Sequence, residues 1–247
     1  MEDYKIFEIK ARELRKSVLD LALKEGEAHL GGSFSEIEIL ISLYNLILKK
    51  EDKFILSKGH ACTPLYILLK EKGFNPKRSG HPDIDPANGI SCTTGSLGHG
   101  LPIGVGMALA RKKIKKDGQI YVLMGDGECQ EGTTWESALF ASHHKLENLT
   151  VIVDNNKLQA LGKIEEIVSL GNLAEKFRAF GWQTNEIEGH NYDEIIPILR
   201  QESYGVPRMI IARTIKGKGV SYMENDPKWH TRLPTEKELK QAHEELN

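Results

Sequence analysis

The sequence predicts an α/β fold in which a mostly parallel sheet is covered by helices on both faces. From residue 119 onward, short runs of continuous apolar residues alternate with segments whose apolar residues recur at helical spacing. Strands that are apolar throughout are typical of a parallel sheet buried on both sides, with helices as the crossover connections. Neither an internal repeat nor a domain linker is visible, so we predict a single domain over residues 1–247.

The individual elements follow from periodicity and from residues typical of helix ends. The predicted helices lie within residues 11–26, 33–48, 58–73, 101–116, 133–146, 172–181, 191–201 and 235–246. The predicted strands cover residues 53–57, 119–124, 149–154, 182–188 and 207–213. Gly26 is a typical C-terminal stop for the first helix. Two serine or threonine residues, Ser35 and Thr235, precede Glu38 and Glu238 by three positions, which is the spacing of a capping box.

Composition excludes several classes of function. The chain has 247 residues, of which 40% are hydrophobic and 28% charged, with a net charge of −2. This balance predicts no nucleic-acid partner and no anionic membrane surface as a ligand. The N-terminal stretch "MEDYKIFEIK" has no apolar core typical of a secretory signal, and no apolar run approaches the roughly 18 residues of a membrane helix. Cys62, Cys92 and Cys129 form neither a disulfide framework nor a zinc pattern, so we expect a cytoplasmic protein.

An acidic turn poses the functional question. The stretch "MGDGECQEG" (124–132) places Asp126 between two glycines at the end of a predicted strand, and "DNNKL" delivers Asn155 and Asn156 to the end of the next. Ligands of open α/β sheets collect at the carboxyl ends of the strands. A carboxylate with a carboxamide oxygen is the hard-oxygen ligation that Mg²⁺ and Ca²⁺ take. From these residues alone, either a solvated turn or a cation site is possible.

Several motifs in the same order resemble the transketolase family of thiamine-diphosphate enzymes. They are "EAHLGGSFS", "LSKGHACTPLY", "SGHPD", "TTGSLGHGLPIGVGMALA", "GDGECQEG", "VIVDNNKL" and "ARTIKGKGVSYME" followed by "WH". The resemblance extends over about residues 12–232 and implies the diphosphate-binding domain of the thiamine-diphosphate-binding fold. It further implies that the pyrimidine-binding and C-terminal domains lie on a partner chain, as in a split transketolase.

The resemblance implies a set of site residues. The metal, Mg²⁺ or alternatively Ca²⁺ or Mn²⁺, would be held by Asp126, Asn156 and the carbonyl of Leu158. Thiamine diphosphate would be contacted by His60, Gly95, Leu97, Gly127, Asn156 and His230. The catalytic group would consist of His29, His81 and His230, which contact the sugar, and Glu131, which faces the partner active site. Glu128 is interpreted as a solvated turn residue.

The implied reaction transfers a two-carbon ketol unit from a ketose phosphate to an aldose acceptor. The activating glutamate would come from the partner, so we expect a chain that is inactive alone and assembles as α2β2, with self-association. Three alternatives stay open at this point: the α subunit of a 2-oxoacid dehydrogenase E1 component, part of a deoxyxylulose-phosphate synthase, and a non-catalytic cofactor-binding scaffold subunit. The sugars and the pathway do not follow from the sequence.

Overall fold

A parallel sheet organises the chain, as predicted. The computed structural model describes residues 4–26 and 29–247. In these residues the strands are β1 (Lys53–Leu56), β2 (Ile120–Gly125), β3 (Leu149–Asn155), β4 (Gln183–Glu188) and β5 (Arg208–Arg213). They form one five-stranded sheet in the order β1-β2-β3-β5-β4, and every pair of neighbours is parallel. The predicted α/β class is confirmed.

The helices of the described ranges connect these strands. They are α1 (Lys5–Glu25), α2 (Leu30–Ser35), α3 (Ile37–Ser42), α4 (Thr63–Glu71), α5 (Gly100–Lys113), α6 (Gly132–His143), α7 (Ile164–Ile167), α8 (Leu173–Ala179), α9 (Tyr192–Arg200) and α10 (Glu236–Glu245). Gly26 ends α1 in the left-handed conformation, with φ of 70°. Thr235 and Glu238 form the predicted capping box at the start of α10. Within the described ranges, no helix combines the length and apolar character needed to cross a membrane.

Helices cover both faces of the sheet because side chains alternate along each strand. On β2, Tyr121 and Leu123 pack into one core with residues of α1, α3, α4 and α9. Val122 and Met124 pack into a second core with residues of α5, α6 and α8. The strands are therefore buried on both sides, which explains why they are apolar throughout.

The predicted helix over residues 33–48 is wrong in its detail. It is interrupted at Glu36, and a π-helical turn, Leu43–Ile47, follows α3. Ser35 is fully buried, and its hydroxyl donates to the Gly32 carbonyl at 3.0 Å and to Asp154 Oδ2 at 2.6 Å. Glu38 instead pairs with Arg15 at 2.8 Å. The predicted capping box does not form because both side chains are used for contacts with distant segments.

The register of β2 and β3 determines where the predicted ligands lie. Gly125 pairs with Asp154 across these strands, so the residues that follow them emerge side by side. Asp126 begins a 3₁₀ turn that ends at Gln130, and Asn156 directly follows β3. The segment 73–98, predicted to be irregular, has one 3₁₀ turn at Pro86–Asn88 and one isolated bridge.

Candidate functional site

A cavity of about 290 Å³ opens at the carboxyl ends of β2 and β3. Ten of the eleven site residues predicted from the sequence line it, and the exception is Glu131. The ten are His29, His60, His81, Gly95, Leu97, Asp126, Gly127, Asn156, Leu158 and His230. The fold thus gathers residues from seven separate motifs at one edge of the sheet.

Asp126 is a buried carboxylate that forms no ion pair within the described residues. It is 3% exposed, and it accepts hydrogen bonds from the amides of Gly127 at 2.9 Å and Lys157 at 2.5 Å. Burial, with the nearby charge of Asp154, raises the pKa of Asp126 to about 7. A buried carboxylate is costly unless a cation compensates it, so this residue is suited to a metal ligand.

Asn156 and Leu158 are the other two residues predicted to offer oxygen ligands. Asn156 is buried, its Oδ1 accepts from the amide of Leu158 at 3.0 Å, and its Nδ2 donates to Asp154 Oδ2 at 3.3 Å. One carboxylate, one carboxamide and one carbonyl fit a hard divalent cation that completes its shell with water and phosphate oxygens. The described residues contain no group of three or more His, Cys, Asp or Glu arranged to hold a metal.

Four histidines form one wall. The ring centroids of His29, His60 and His230 lie 5.1–5.3 Å from one another, and that of His81 lies 6.3 Å from that of His29. Burial and the charge of Lys58 lower the pKa of His60 to about 2. Burial and Lys216 lower the pKa of His230 to about 4. At neutral pH both rings are uncharged, so each offers one N–H donor and one nitrogen acceptor.

Sequence reasoning missed Lys58, which lies under the cavity. It is 2% exposed; its ammonium forms an ion pair with Asp154, lies 3.2 Å from Glu36 Oε2, and donates to the Gly32 carbonyl at 2.8 Å. Burial opposes the charged form, but Asp154 and Glu36 raise the pKa of Lys58 above its usual range. Burial also raises the pKa of Glu36 to about 8. The only signal in the sequence was the lysine of the quoted "KGH" motif.

Lys216 is a second buried cation that sequence reasoning did not single out, although it lies in the quoted "ARTIKGKG" motif. It is 2% exposed and donates to the Gln159 carbonyl at 3.1 Å, and its Nζ lies 3.4 Å from His230 Nδ1. Burial and the charge of Lys58 lower its pKa to about 8. Lys58 and Lys216 both line the cavity, and Lys216, which forms no ion pair within the described residues, is the cation free to attract an anionic ligand.

Two glycines in the cavity lining, Gly95 and Gly127, leave space for a ligand to approach the backbone. Gly95 has φ of 151°, and a Cβ there would lie 3.1 Å from the His81 ring. A Cβ at Gly127 would lie 3.3 Å from the side chain of Gln159. Side chains at either position would crowd the cavity, so both residues keep the backbone accessible.

The two glutamates of the acidic turn have different environments. Glu131 is exposed at the start of α6, outside the cavity. Glu128, predicted to be a solvated turn residue, is 1% exposed and accepts from Ser57 Oγ at 2.5 Å and from the amides of Gly98 and Gly125 at 2.9 and 2.8 Å. The prediction for Glu128 is wrong because three donors from distant or neighbouring segments compensate its burial.

Comparisons with known proteins agree with this geometry. The sequence profile of "Transketolase, thiamine diphosphate binding domain" matches residues 8–247. The chain is 39% identical to an apulose-4-phosphate transketolase subunit of Phocaeicola vulgatus, over 97% of this chain and 93% of that protein. It is 40% identical to the 6-deoxy-6-sulfo-D-fructose transketolase subunit SqwG of a Clostridium species, over 96% and 94% respectively.

A solved transketolase structure has the same fold as this chain. The transketolase from Campylobacter jejuni superposes with a TM-score of 0.89 at 32% identity, over 99% of this chain. The matched region is 43% of that transketolase, so the chain spans less than half of the longer enzyme. Neither the 2-oxoacid dehydrogenase nor the scaffold alternative is favoured by these comparisons. The predicted resemblance is confirmed: the chain belongs to the transketolase thiamine-diphosphate-binding domain family, as an N-terminal subunit of the split type.

Proposed function

We propose that this chain holds thiamine diphosphate and a divalent metal in a transketolase that is active only with a C-terminal partner chain. The reaction moves a two-carbon ketol unit from a ketose phosphate to an aldose acceptor. The observation that carries the proposal is the single cavity lined by a buried Asp126, two further oxygen ligands, two lysines and four histidines.

Asp126, Asn156 and the Leu158 carbonyl are proposed to hold the metal, Mg²⁺ or alternatively Ca²⁺ or Mn²⁺. The burial of Asp126 and its raised pKa support this role, because a bound cation would favour its ionised form. The metal would join the diphosphate to the protein, with His60, the Gly127 amide, Lys58 and Lys216 facing the same anion. Gly95 and Leu97 would contact the aminopyrimidine ring through their backbones.

The histidines are proposed to act on the sugar. When bound, thiamine diphosphate supplies the nucleophilic carbon and the electron sink for breaking the carbon–carbon bond. His29 and His230 would donate and accept protons at the carbonyl and hydroxyl oxygens of the donor, and His81 would hold a sugar hydroxyl. Because His230 is uncharged at neutral pH, it can accept a proton in one step and return it in another.

The partner chain is proposed to supply the activating glutamate. The carboxylates of described residues that line the cavity are Asp126 and Glu128, and both are occupied by backbone N–H donors. Leu97, which lines the cavity mouth, is 41% exposed, and Glu131 lies on the surface nearby, where Gly98 approaches it closely. This face is therefore suited to a second chain that completes the site.

A surface on α5 and α6 supports the proposed α2β2 assembly. Ile103 is 37% exposed, Leu139 62% and Phe140 44%, although all three are large apolar residues. Exposed apolar side chains on adjacent helices are typical of a protein interface. We also propose a cytoplasmic location, because Cys62, Cys92 and Cys129 are buried and form no disulfide within the described residues, which suits a reducing compartment.

The donor sugar is proposed as a phosphorylated or similarly anionic ketose. The relatives named above act on apulose 4-phosphate and on 6-deoxy-6-sulfo-D-fructose, according to their names. Both donors combine a ketose with an anionic group. Xylulose 5-phosphate, apulose 4-phosphate and the sulfo-sugar therefore form the donor panel for the test.

The test mixes the purified chain with its C-terminal partner, Mg²⁺ and thiamine diphosphate, then follows two-carbon transfer from each donor to an aldose phosphate. Each chain alone is the control. Transfer only in the mixture supports the proposal. Cofactor binding and assembly without transfer from any ketose, but with turnover of a 2-oxoacid, would contradict it.

A further inference from the structure

The opposite end of the sheet carries a row of buried polar side chains that the proposed reaction does not use. Tyr121 pairs in register with Thr150, and Thr150 with Arg208, on the adjacent strands β2, β3 and β5. Residues in register on parallel neighbours project to the same face of the sheet. All three are buried, at 6%, 2% and 2% exposure. They form the amino-end row.

Arg208 is incompletely paired. Its two terminal nitrogens donate to the carbonyls of Gln201 and Ile198, at the C-terminal end of α9, but its Nε–H has no hydrogen-bond partner among the described residues. Within residues 4–26 and 29–247, no carboxylate forms an ion pair with it. A buried cation without an anion is unfavourable, and one unsatisfied buried donor adds to that cost.

A cavity of about 390 Å³ lies against the amino-end row. Lys49 and Arg200 add positive charge to its lining, and Glu147 and Glu202 add negative charge. Glu147 already accepts from the Gly205 amide at 2.9 Å. With Arg208 the lining has three cations against two acids, and the most deeply buried charge is the guanidinium.

We propose that this cavity is a second ligand site, which binds the oxyanion group of a small phosphorylated metabolite. The remaining terminal N–H groups of Arg208 and the hydroxyls of Tyr121 and Thr150 would donate to the oxyanion, and Lys49 would add charge at the rim. A guanidinium suits phosphate because its planar donors match the oxygen geometry. Thr150 and Asn155 are five residues apart on β3, which is roughly 17 Å of strand, so this site is separate from the cofactor cavity.

The test measures binding of inorganic phosphate and of ribose 5-phosphate by isothermal titration, with chloride at equal ionic strength as the reference. Each titration is repeated with saturating thiamine diphosphate and Mg²⁺. With thiamine diphosphate and Mg²⁺ bound, we expect one saturable phosphate site to remain, because the cofactor then occupies the anion-binding groups of the other cavity. Loss of all saturable phosphate binding when thiamine diphosphate is bound would overturn the inference.

Phosphate affinity in variants of the lining residues distinguishes a specific site from non-specific electrostatic attraction of anions. Tyr121→Phe combined with Thr150→Val removes two hydroxyl donors with little change in shape, and we expect at least a tenfold loss of affinity. Lys49→Gln should weaken binding less, whereas Lys50→Gln, on the neighbouring residue that does not line the cavity, should leave it unchanged. Arg208→Gln is secondary, because it also removes contacts to α9. Equal affinity in wild type and the double variant would overturn the inference. Tighter binding of ribose 5-phosphate than of phosphate would identify a metabolite rather than the free ion.

Discussion

The two ends of the sheet both bury charge, but they compensate it differently. At the carboxyl end, Asp154 is fully buried and receives hydrogen bonds or ion pairs from Lys58, Ser35 and Thr214. Burial alone would raise the pKa of Asp154, yet Lys58 and these donors hold it below its usual range. At the amino end, Arg208 keeps an Nε–H that no described residue accepts, beside a cavity.

Buried charges in this chain are of two kinds, those with an opposite charge in the folded chain and those suited to a charged ligand. Asp154 has its partners within the chain, so it stabilises the folded state by itself. Among the described residues, Asp126 has only amide donors and a pKa raised by burial, and Arg208 is similarly short of an opposite charge. Incomplete compensation is therefore the property that the cofactor cavity and the amino-end cavity share.

The largest effect on stability is expected from removing Lys58, the buried cation that pairs with Asp154. Lys58→Met leaves Asp154 and Glu36 buried without their common partner, so we expect the free energy of unfolding to fall by about 3–5 kcal/mol. Lys53→Met, at an exposed position on β1, is the matched control and should change it by less than about 0.5 kcal/mol. Urea denaturation measures both. A similar loss in the two variants would contradict the structural role of Lys58.

Asp126→Asn should have the opposite effect on stability and a large effect on binding. The metal-free chain should be as stable as wild type or more so, because an uncompensated buried charge is removed. The Mg²⁺-dependent affinity for thiamine diphosphate should fall by more than about 100-fold, since loss of an indirect partner of a metal ligand alone costs about 10–100-fold. Calorimetric titration measures the affinity, and Asp117→Asn, on the exposed surface, is the control. Unchanged affinity in Asp126→Asn would reject the proposed ligand.

Asp154→Asn tests whether the buried carboxylate also positions a metal ligand. Asp154 Oδ2 accepts from Asn156 Nδ2, which turns the carboxamide oxygen of Asn156 away from the protein carboxylate. We expect the Mg²⁺-dependent affinity for thiamine diphosphate to fall by roughly 10–100-fold. Crystal structures of the variant should show the Asn156 amide in a different orientation. An unchanged amide with unchanged affinity would restrict Asp154 to a role in stability.

The sequence predicted the residues whose position follows from local patterns and strand order, and it missed those whose partners are distant along the chain. Asp126 and Asn156 were predictable because carboxyl ends of neighbouring parallel strands meet at one edge of the sheet. Lys58 and Glu128 were not recognised as buried, since their partners, Asp154 and Ser57, are distant in sequence and no local pattern reports them. Ser35 shows the same limit, because a local capping pattern yielded to a long-range contact.

The four histidines of the cofactor cavity could be predicted from the sequence, whereas the amino-end row could not. His29, His60, His81 and His230 were predicted only because their motifs resemble a known family, which carries information about distant contacts. The amino-end row depends on the register of three strands, and strand register is a long-range property that periodicity does not reveal.

Glu36→Gln should flatten the pH dependence of stability. Burial raises the folded-state pKa of Glu36 to about 8, against an ordinary value of 4.5. Between these values the folded chain binds a proton that the unfolded chain has released. The free energy of unfolding therefore falls as pH rises, by at most about 1.4 kcal/mol per pH unit for this group. Urea denaturation at pH 5, 6.5 and 8 should show the variant gaining on wild type as pH rises, while Glu244→Gln, at an exposed position, follows wild type. Parallel profiles for wild type and Glu36→Gln would contradict the raised pKa of Glu36.

The smallest effects on stability are expected at two threonines, Thr214 and Thr150, which also compare the two ends of the sheet most directly. Thr214 donates to the buried carboxylate of Asp154, so Thr214→Val should cost about 1.5–3 kcal/mol. The hydroxyl of Thr150 has no hydrogen-bond partner within the described residues, so Thr150→Val should change stability by less than about 0.5 kcal/mol in chloride buffer. Urea denaturation measures both variants.

Adding phosphate then separates the two positions further. A ligand that binds the folded chain raises its stability by an amount that depends on the ratio of concentration to Kd. Phosphate should raise the stability of wild type and of Thr214→Val by the same amount, because Thr214 lies outside the amino-end row. The stability of Thr150→Val should rise less. If Thr150→Val is destabilised as much as Thr214→Val without phosphate, its hydroxyl already has a partner in the folded chain. The amino end of the sheet would then be compensated internally, like the carboxyl end around Asp154.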